Sequence, residues 1–164
     1  MTKQTHRLAV GGQAPGGQFW VQQRALDKPN NSGLWDTLMG SMASSRDTVE
    51  TALARETWEE AGLQPHQLHN LAHGGVLTVR KPSPDGNGAG YVVEHIIWYT
   101  CTVPDGVVPV NQDGKVEQFA LMSAAQLLEA VQNGAFTLEA SLILADVMGH
   151  NFESPSVCLA QSCP

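Results

Sequence analysis

Positive charge is scarce in this sequence. Nine Lys and Arg stand against sixteen Asp and Glu, a formal net charge of −7 over 164 residues. That balance argues against a nucleic-acid polymer as partner, because such binding is driven by Lys and Arg neutralising phosphates. It leaves room for a small phosphorylated ligand, provided a metal supplies positive charge. Cysteine is scarcer still. Cys101, Cys158 and Cys163 are too few, and wrongly spaced, for a zinc site or a disulfide framework. Reduced thiols in a cytoplasmic chain are the reading they favour. No segment approaches the ~18 consecutive apolar residues of a membrane-spanning helix. The opening Met-Thr-Lys-Gln-Thr-His-Arg has no apolar stretch behind its charges, which argues against a secretory signal. Internal repeats and blocks of like charge are missing too. What is present is globular composition, 42% apolar and 15% charged. The length suits one domain, at about 100–200 residues each. We expect it to span residues 1–150, with an aperiodic tail over 151–164.

Strand and helix signals interleave. Leu8–Val10 and Phe19–Gln23 read as strands joined by a glycine-rich hairpin turn. Leu34–Met39 reads as a strand or extended run. Ser44 and Asp47 have the spacing of a capping box, opening a helix that Gly62 can end in a left-handed conformation. Val76–Lys81, Tyr91–Val103 and Val116–Met122 read as strands, the second rich in β-branched and aromatic residues. Ser123 and Gln126 form a second capping box, and Thr137 caps a last helix carrying Leu138, Leu142, Ala145 and Met148. The fold class is therefore α/β. His66, His69 and His73 fall between Pro65 and Gly74-Gly75, so a loop is expected there rather than a metal face. Trp20, Trp35, Trp58 and Trp98 are expected in the core or in pocket walls.

The chemistry concentrates at the end of the first helix, Arg55-Glu56-Thr57-Trp58-Glu59-Glu60-Ala61-Gly62-Leu63. Glu56 is three residues from Glu59 and four from Glu60, so one helical face holds all three carboxylates. They repel one another and sit where the helix dipole disfavours anions. A bound divalent cation would relieve both costs. Ligands that are all oxygen suit Mg²⁺ or Mn²⁺.

With the preceding Gly40-Ser41-Met42-Ala43-Ser44-Ser45-Arg46-Asp47, this segment resembles the Nudix box, a loop–helix–loop motif of hydrolases that cleave diphosphates linked to another group. Beyond the box, Phe19–Arg24, Trp35-Asp36, Gly90–His95, Val116–Ser123 and Asn133–Phe136 resemble the Nudix subgroup associated with thiamine pyrophosphokinase. The resemblance implies a mixed β-sheet between helices, an α/β/α sandwich. It implies Gly40, Glu56, Glu59 and Glu60 as metal ligands, and an ion pair of Asp47 with Arg55 that holds the loop on the helix. It implies a general base, for which Glu59, Glu60 and Glu117 are the candidates and Glu94 the next. Arg24 and Lys28 are candidates for binding phosphate, where Arg can make paired hydrogen bonds. The implied partner is a small-molecule diphosphate, thiamine diphosphate-like or nucleotide-like, with no membrane, and homodimers are common in the family.

Three positions depart from the box. Ser41 stands where glycine is usual, Asp47 where glutamate is usual, and Thr57 at an aliphatic position. None removes a metal carboxylate. A non-catalytic ligand-binding Nudix module is one alternative. An isopentenyl-diphosphate isomerase-like enzyme is another, but that reaction uses a cysteine before the helix, and Leu38–Met42 contains none.

Overall fold

The computed structural model describes residues 2–43, 46–83 and 90–149. The sheet contains β1 (Thr2–Gln13), β2 (Phe19–Arg24), β3 (Trp35–Asp36), β4 (Met39–Met42), β5 (His69–Pro82), β6 (Tyr91–Thr102) and β7 (Val116–Met122). Helices α1 (Val49–Ala61), α2 (Ala124–Gln132) and α3 (Leu138–Val147) pack against it.

Strand β1 organises the sheet. One edge pairs in parallel with β6, from Thr2 opposite Tyr91 to Gln13 opposite Thr102. The other edge is shared. Residues Arg7–Val10 pair antiparallel with β4, and Gly12 and Gln13 pair with β2. The sheet therefore forks near Gly11. Beyond the fork, β2 carries β3 and β7. Leu8, Ala9 and Val10 are all buried, as expected of a strand covered on both faces. Leu8 and Val10 pack with Ala52, Leu53 and Ala61 of α1, while Ala9 packs with Ile96, Trp98 and Ile143 on the opposite side. A third cluster joins Phe19 and Val21 to Leu127 of α2 and to Ala140 and Leu144 of α3. The result is the expected α/β/α sandwich with a mixed sheet.

Local signals act where the sequence places them at several ends. The β1–β2 hairpin forms, with Gly12 opposite Trp20. Gly62 ends α1 at φ 65°. Ser123 and Gln126 make both arms of their capping box, and Thr137 accepts from the Ala140 amide at 3.2 Å.

Other expectations are corrected. Leu34–Met39 is not one strand. The Thr37 amide donates to the Asp36 carboxylate at 2.8 Å and its hydroxyl donates to the Met39 carbonyl at 2.8 Å, a turn that separates β3 from β4. The expected cap Ser44 lies outside the described residues. Helix α1 instead begins at Val49 behind Thr48, whose hydroxyl accepts from the Thr51 amide at 3.2 Å. Asp47 therefore precedes the helix. Of the three histidines, His66 sits in a short 3₁₀ turn, while His69 and His73 belong to β5. Pairing with β6, through two register shifts, extends β5 over a segment whose local signals favoured a loop. A Cβ on Gly74 would overlap the Trp98 ring, so the glycine lets the two strands close over that indole. Trp58 is 45% exposed and is not in the core.

Candidate active site

Helix α1 brings Glu56 and Glu60 together on one face, at 6% and 5% exposure. Both line an open groove of about 620 Å³ that also runs past Gly40, Ser41 and Met42 of β4. Glu60 Oε2 accepts from the Gly40 amide at 3.0 Å and from the Gln22 side chain at 3.5 Å. Burial, reinforced by the charge of buried Asp36, pushes the Glu60 carboxyl up to about 8. Asp36 itself is raised by burial. Glu56 Oε1 accepts from Arg55 at 2.9 Å, and its Oε2 is buried with no hydrogen-bond partner among the described residues. Arg55 also reaches Asp47 at 2.7 Å, so one guanidinium ties the loop before α1 to the carboxylate of Glu56. Hydrogen bonding to Glu56, then to Asp47, raises the Arg55 pKa.

The end of α1 is fastened from outside. The Val110 amide donates to the Ala61 carbonyl at 2.8 Å, and the Gln112 amide to the Glu59 carbonyl at 3.1 Å. Glu59 is half-buried and is not among the described residues lining the groove. Glu117 is exposed on β7, where the register shift against Gln23 and Arg24 leaves it without a counterpart, and it too is outside that lining. Glu94 is in the groove, buried, with Oε1 at 3.7 Å from Arg7 and 3.4 Å from Lys81.

The groove gathers cations. Lys3, Arg7, Arg24, Lys28, Lys81 and Lys115 line it, six of the nine Lys and Arg in a chain of net charge −7. Arg24 donates to the Asn30 carbonyl at 3.2 Å, lies 3.9 Å from Asp36, and keeps a buried Nε with no partner among the described residues. Burial, then the neighbouring Arg24 and Lys115, lowers the Lys28 pKa. Of these, Arg24 and Lys28 are the two expected from the sequence. Arg7, Lys81 and Lys115 carry no local motif, and neither do Gln22 of β2, which donates to Glu60, and Asp36 of β3, whose charge opposes the ionised form of Glu60.

These residues can be tested against a divalent cation. At the Gly40 end of the groove the donors are two buried carboxylates, Glu56 and Glu60, one with an orphaned oxygen, beside the Gly40 backbone. Among the described residues no three His, Cys, Asp or Glu side chains converge. Mg²⁺ commonly takes one or two carboxylates and completes its shell with water and substrate phosphates. The donor set fits such an ion.

A cationic groove with paired carboxylates, set at the fork of an α/β/α sandwich, has the chemistry of a domain that handles small phosphorylated molecules. Residues 5–141 match the model of the NUDIX domain, and the chain belongs to that family. Nudix hydrolase 24, chloroplastic, of Arabidopsis thaliana is 27% identical over 131 residues, which are 79% of this chain and 35% of that protein. The chain thus spans about a third of that relative's length. Among solved structures, the Escherichia coli dihydroneopterin triphosphate pyrophosphohydrolase superposes with a TM-score of 0.64 at 14% identity, covering 89% of this chain and 96% of that one. The NUDIX domain of Shewanella oneidensis NrtR, complexed with ADP ribose, gives 0.64 at 14% identity, covering 89% and 87%. These support the family and the fold, and not the thiamine pyrophosphokinase-associated subgroup. No described helix is long and apolar enough to cross a membrane.

Proposed function

We propose that this chain is a Nudix pyrophosphohydrolase that uses Mg²⁺ or Mn²⁺ to cleave a small-molecule diphosphate linked to another group. The observation that carries this reading is the groove, which concentrates six of nine cations around three buried carboxylates, Glu56, Glu60 and Glu94, in an acidic chain. Glu56, Glu60 and the Gly40 backbone would hold the ion. When bound, it neutralises phosphate oxygens and lowers the pKa of a water. Arg24, Lys28 and Lys115 bind and orient the phosphates, and Arg24 offers its unpartnered Nε for a hydrogen bond. A carboxylate of α1, Glu59 or Glu60, takes the proton from the attacking water. Arg55 holds Glu56 in place and is a positioning residue.

A non-catalytic module that binds a diphosphate is the second reading. It is favoured by the position of Glu59 outside the groove lining. Phosphate release separates the two. The panel is thiamine diphosphate and its oxidised analogues, nucleoside triphosphates, ADP-ribose and NADH, each with Mg²⁺ or Mn²⁺. Thiamine diphosphate enters on the resemblance alone. Metal-dependent turnover that is lost in Glu60→Gln supports the hydrolase. Tight metal-dependent binding without turnover of any compound favours the module.

A further inference from the structure

Strand β4 meets the groove along three consecutive residues, Gly40, Ser41 and Met42. Its register with β1 decides which way each side chain projects. Ser41 is opposite Leu8, and Met42 is opposite Arg7. Directly paired residues of antiparallel strands project to the same side of a sheet. Leu8 packs with Ala52, Leu53 and Ala61 of α1, so Ser41 projects toward α1. Arg7 and Met42 are each one residue further along and project the other way. The cations of β1 are therefore on the face that Ser41 does not share.

The α1 side is where the carboxylates are. Glu60 Oε2 accepts from the amide of Gly40, the residue before Ser41, at 3.0 Å. Glu56 is one helical turn before Glu60 and lines the same groove. Ser41 is half-buried, and its hydroxyl makes no hydrogen bond to a described residue. An accessible hydroxyl oxygen thus stands beside two carboxylates and a backbone that together suit a hard divalent ion. Such ions accept neutral oxygens, serine hydroxyls among them, as well as carboxylates.

We propose that Ser41 is a further ligand of the divalent ion, its Oγ taking a coordination position that water would otherwise fill. The hydroxyl is neutral, so it adds an oxygen without adding to the repulsion between Glu56 and Glu60. It also ties the ion to β4 through a side chain, where a glycine would offer backbone alone. This inference rests on the metal-dependent reading of the same groove.

The test reads the ion directly and needs no turnover. Mg²⁺ and Mn²⁺ binding to the full chain is measured by calorimetry, and the waters on bound Mn²⁺ are counted by electron spin resonance in oxygen-labelled water. Ser41→Ala should weaken both ions by about tenfold, the lower end of what disturbing a metal ligand costs. The water count on Mn²⁺ should rise by one in that variant. Ser41→Cys should weaken Mg²⁺ and strengthen Zn²⁺ by about tenfold over wild type, because a thiolate is a soft ligand. An unchanged water count in Ser41→Ala overturns the proposal even if affinity falls, since a structural role opens no coordination position. A Ser41→Cys chain that binds Zn²⁺ no better than wild type overturns it too. Wild type that binds neither Mg²⁺ nor Mn²⁺ defeats the metal reading and the Ser41 assignment together. Wild-type binding that both variants retain in full defeats the Ser41 assignment alone.

Discussion

Replacing Gly62 with alanine should destabilise the protein more than replacing any other glycine that ends a helix here. Gly62 holds φ 65°, and its amide donates to the Trp58 carbonyl at 2.8 Å. An L-residue in that conformation costs about 1–2 kcal/mol. A Cβ there would also lie 2.6 Å from the Val110 carbonyl oxygen and 2.8 Å from Gln112 Nε2. The first contact is backbone and cannot swing away. Overpacking of that kind costs about 1–3 kcal/mol. The sum is ~2–5 kcal/mol, and at roughly 2–4 °C per kcal/mol for a chain of this size Tm should fall by about 4–20 °C. Gly134 is the control. It has φ 73° and ends α2, but a Cβ there would meet no described atom within 4 Å. Gly134→Ala should therefore carry the conformational cost alone, a fall of about 2–8 °C. Thermal unfolding by circular dichroism reads both. Relief of the clash would shift residues 110–112, which hold the Glu59 and Ala61 carbonyls, so Gly62→Ala should also lose turnover. Equal Tm shifts in the two variants would refute the argument, because the clash with Val110 would then cost nothing.

Three further outcomes follow from the site. Glu60 is raised to about 8 in the folded chain against 4.5 for the free group, so its contribution to stability is complete below about pH 4.5 and is lost as pH rises to about 8. Urea titrations in chelator should show that decline, Mg²⁺ should reverse it, and Glu60→Gln should flatten it; a decline unchanged in Glu60→Gln would locate it elsewhere. Arg55→Ala should weaken Mg²⁺ binding by ~10–100-fold, as expected when a group orienting a metal ligand is removed, with little change in Tm. Unchanged calorimetric affinity would show that Arg55 does not position Glu56. Cys101 is buried and burial pushes its thiol up to about 12, so it should resist disulfide reagents in the folded protein. The native thiol count should be the same in Cys101→Ser as in wild type, and a lower count in the variant would contradict the burial.

Local patterns were legible where the physics is local. A serine or threonine that accepts an amide three residues on, a glycine that adopts positive φ, and a run of β-branched residues act within a few positions of themselves. Ser123, Thr137, Gly62 and β7 accordingly form where the sequence places them. The same logic failed before α1, where an acidic residue at capping spacing serves an ion pair with Arg55 instead of the helix end. It failed again in β5, where cross-strand pairing with β6 outweighed a stretch of histidine and glycine.

The sequence alone determined the helix that carries Glu56, Glu59 and Glu60, because helical spacing decides which side chains share a face. It could not say which of the three turns into the groove. That depends on how α1 seats against β4, and the seating buries Glu56 and Glu60 beside Gly40 while leaving Glu59 at the margin. Nor could it show that an acidic chain holds a cationic site. Lys3 and Arg7 come from β1, Arg24 from β2, Lys81 from β5, and Lys28 and Lys115 from the segments between strands. No sequence window contains them all. Only the forked sheet brings them to one place, since charge acts through distance in space and not along the chain.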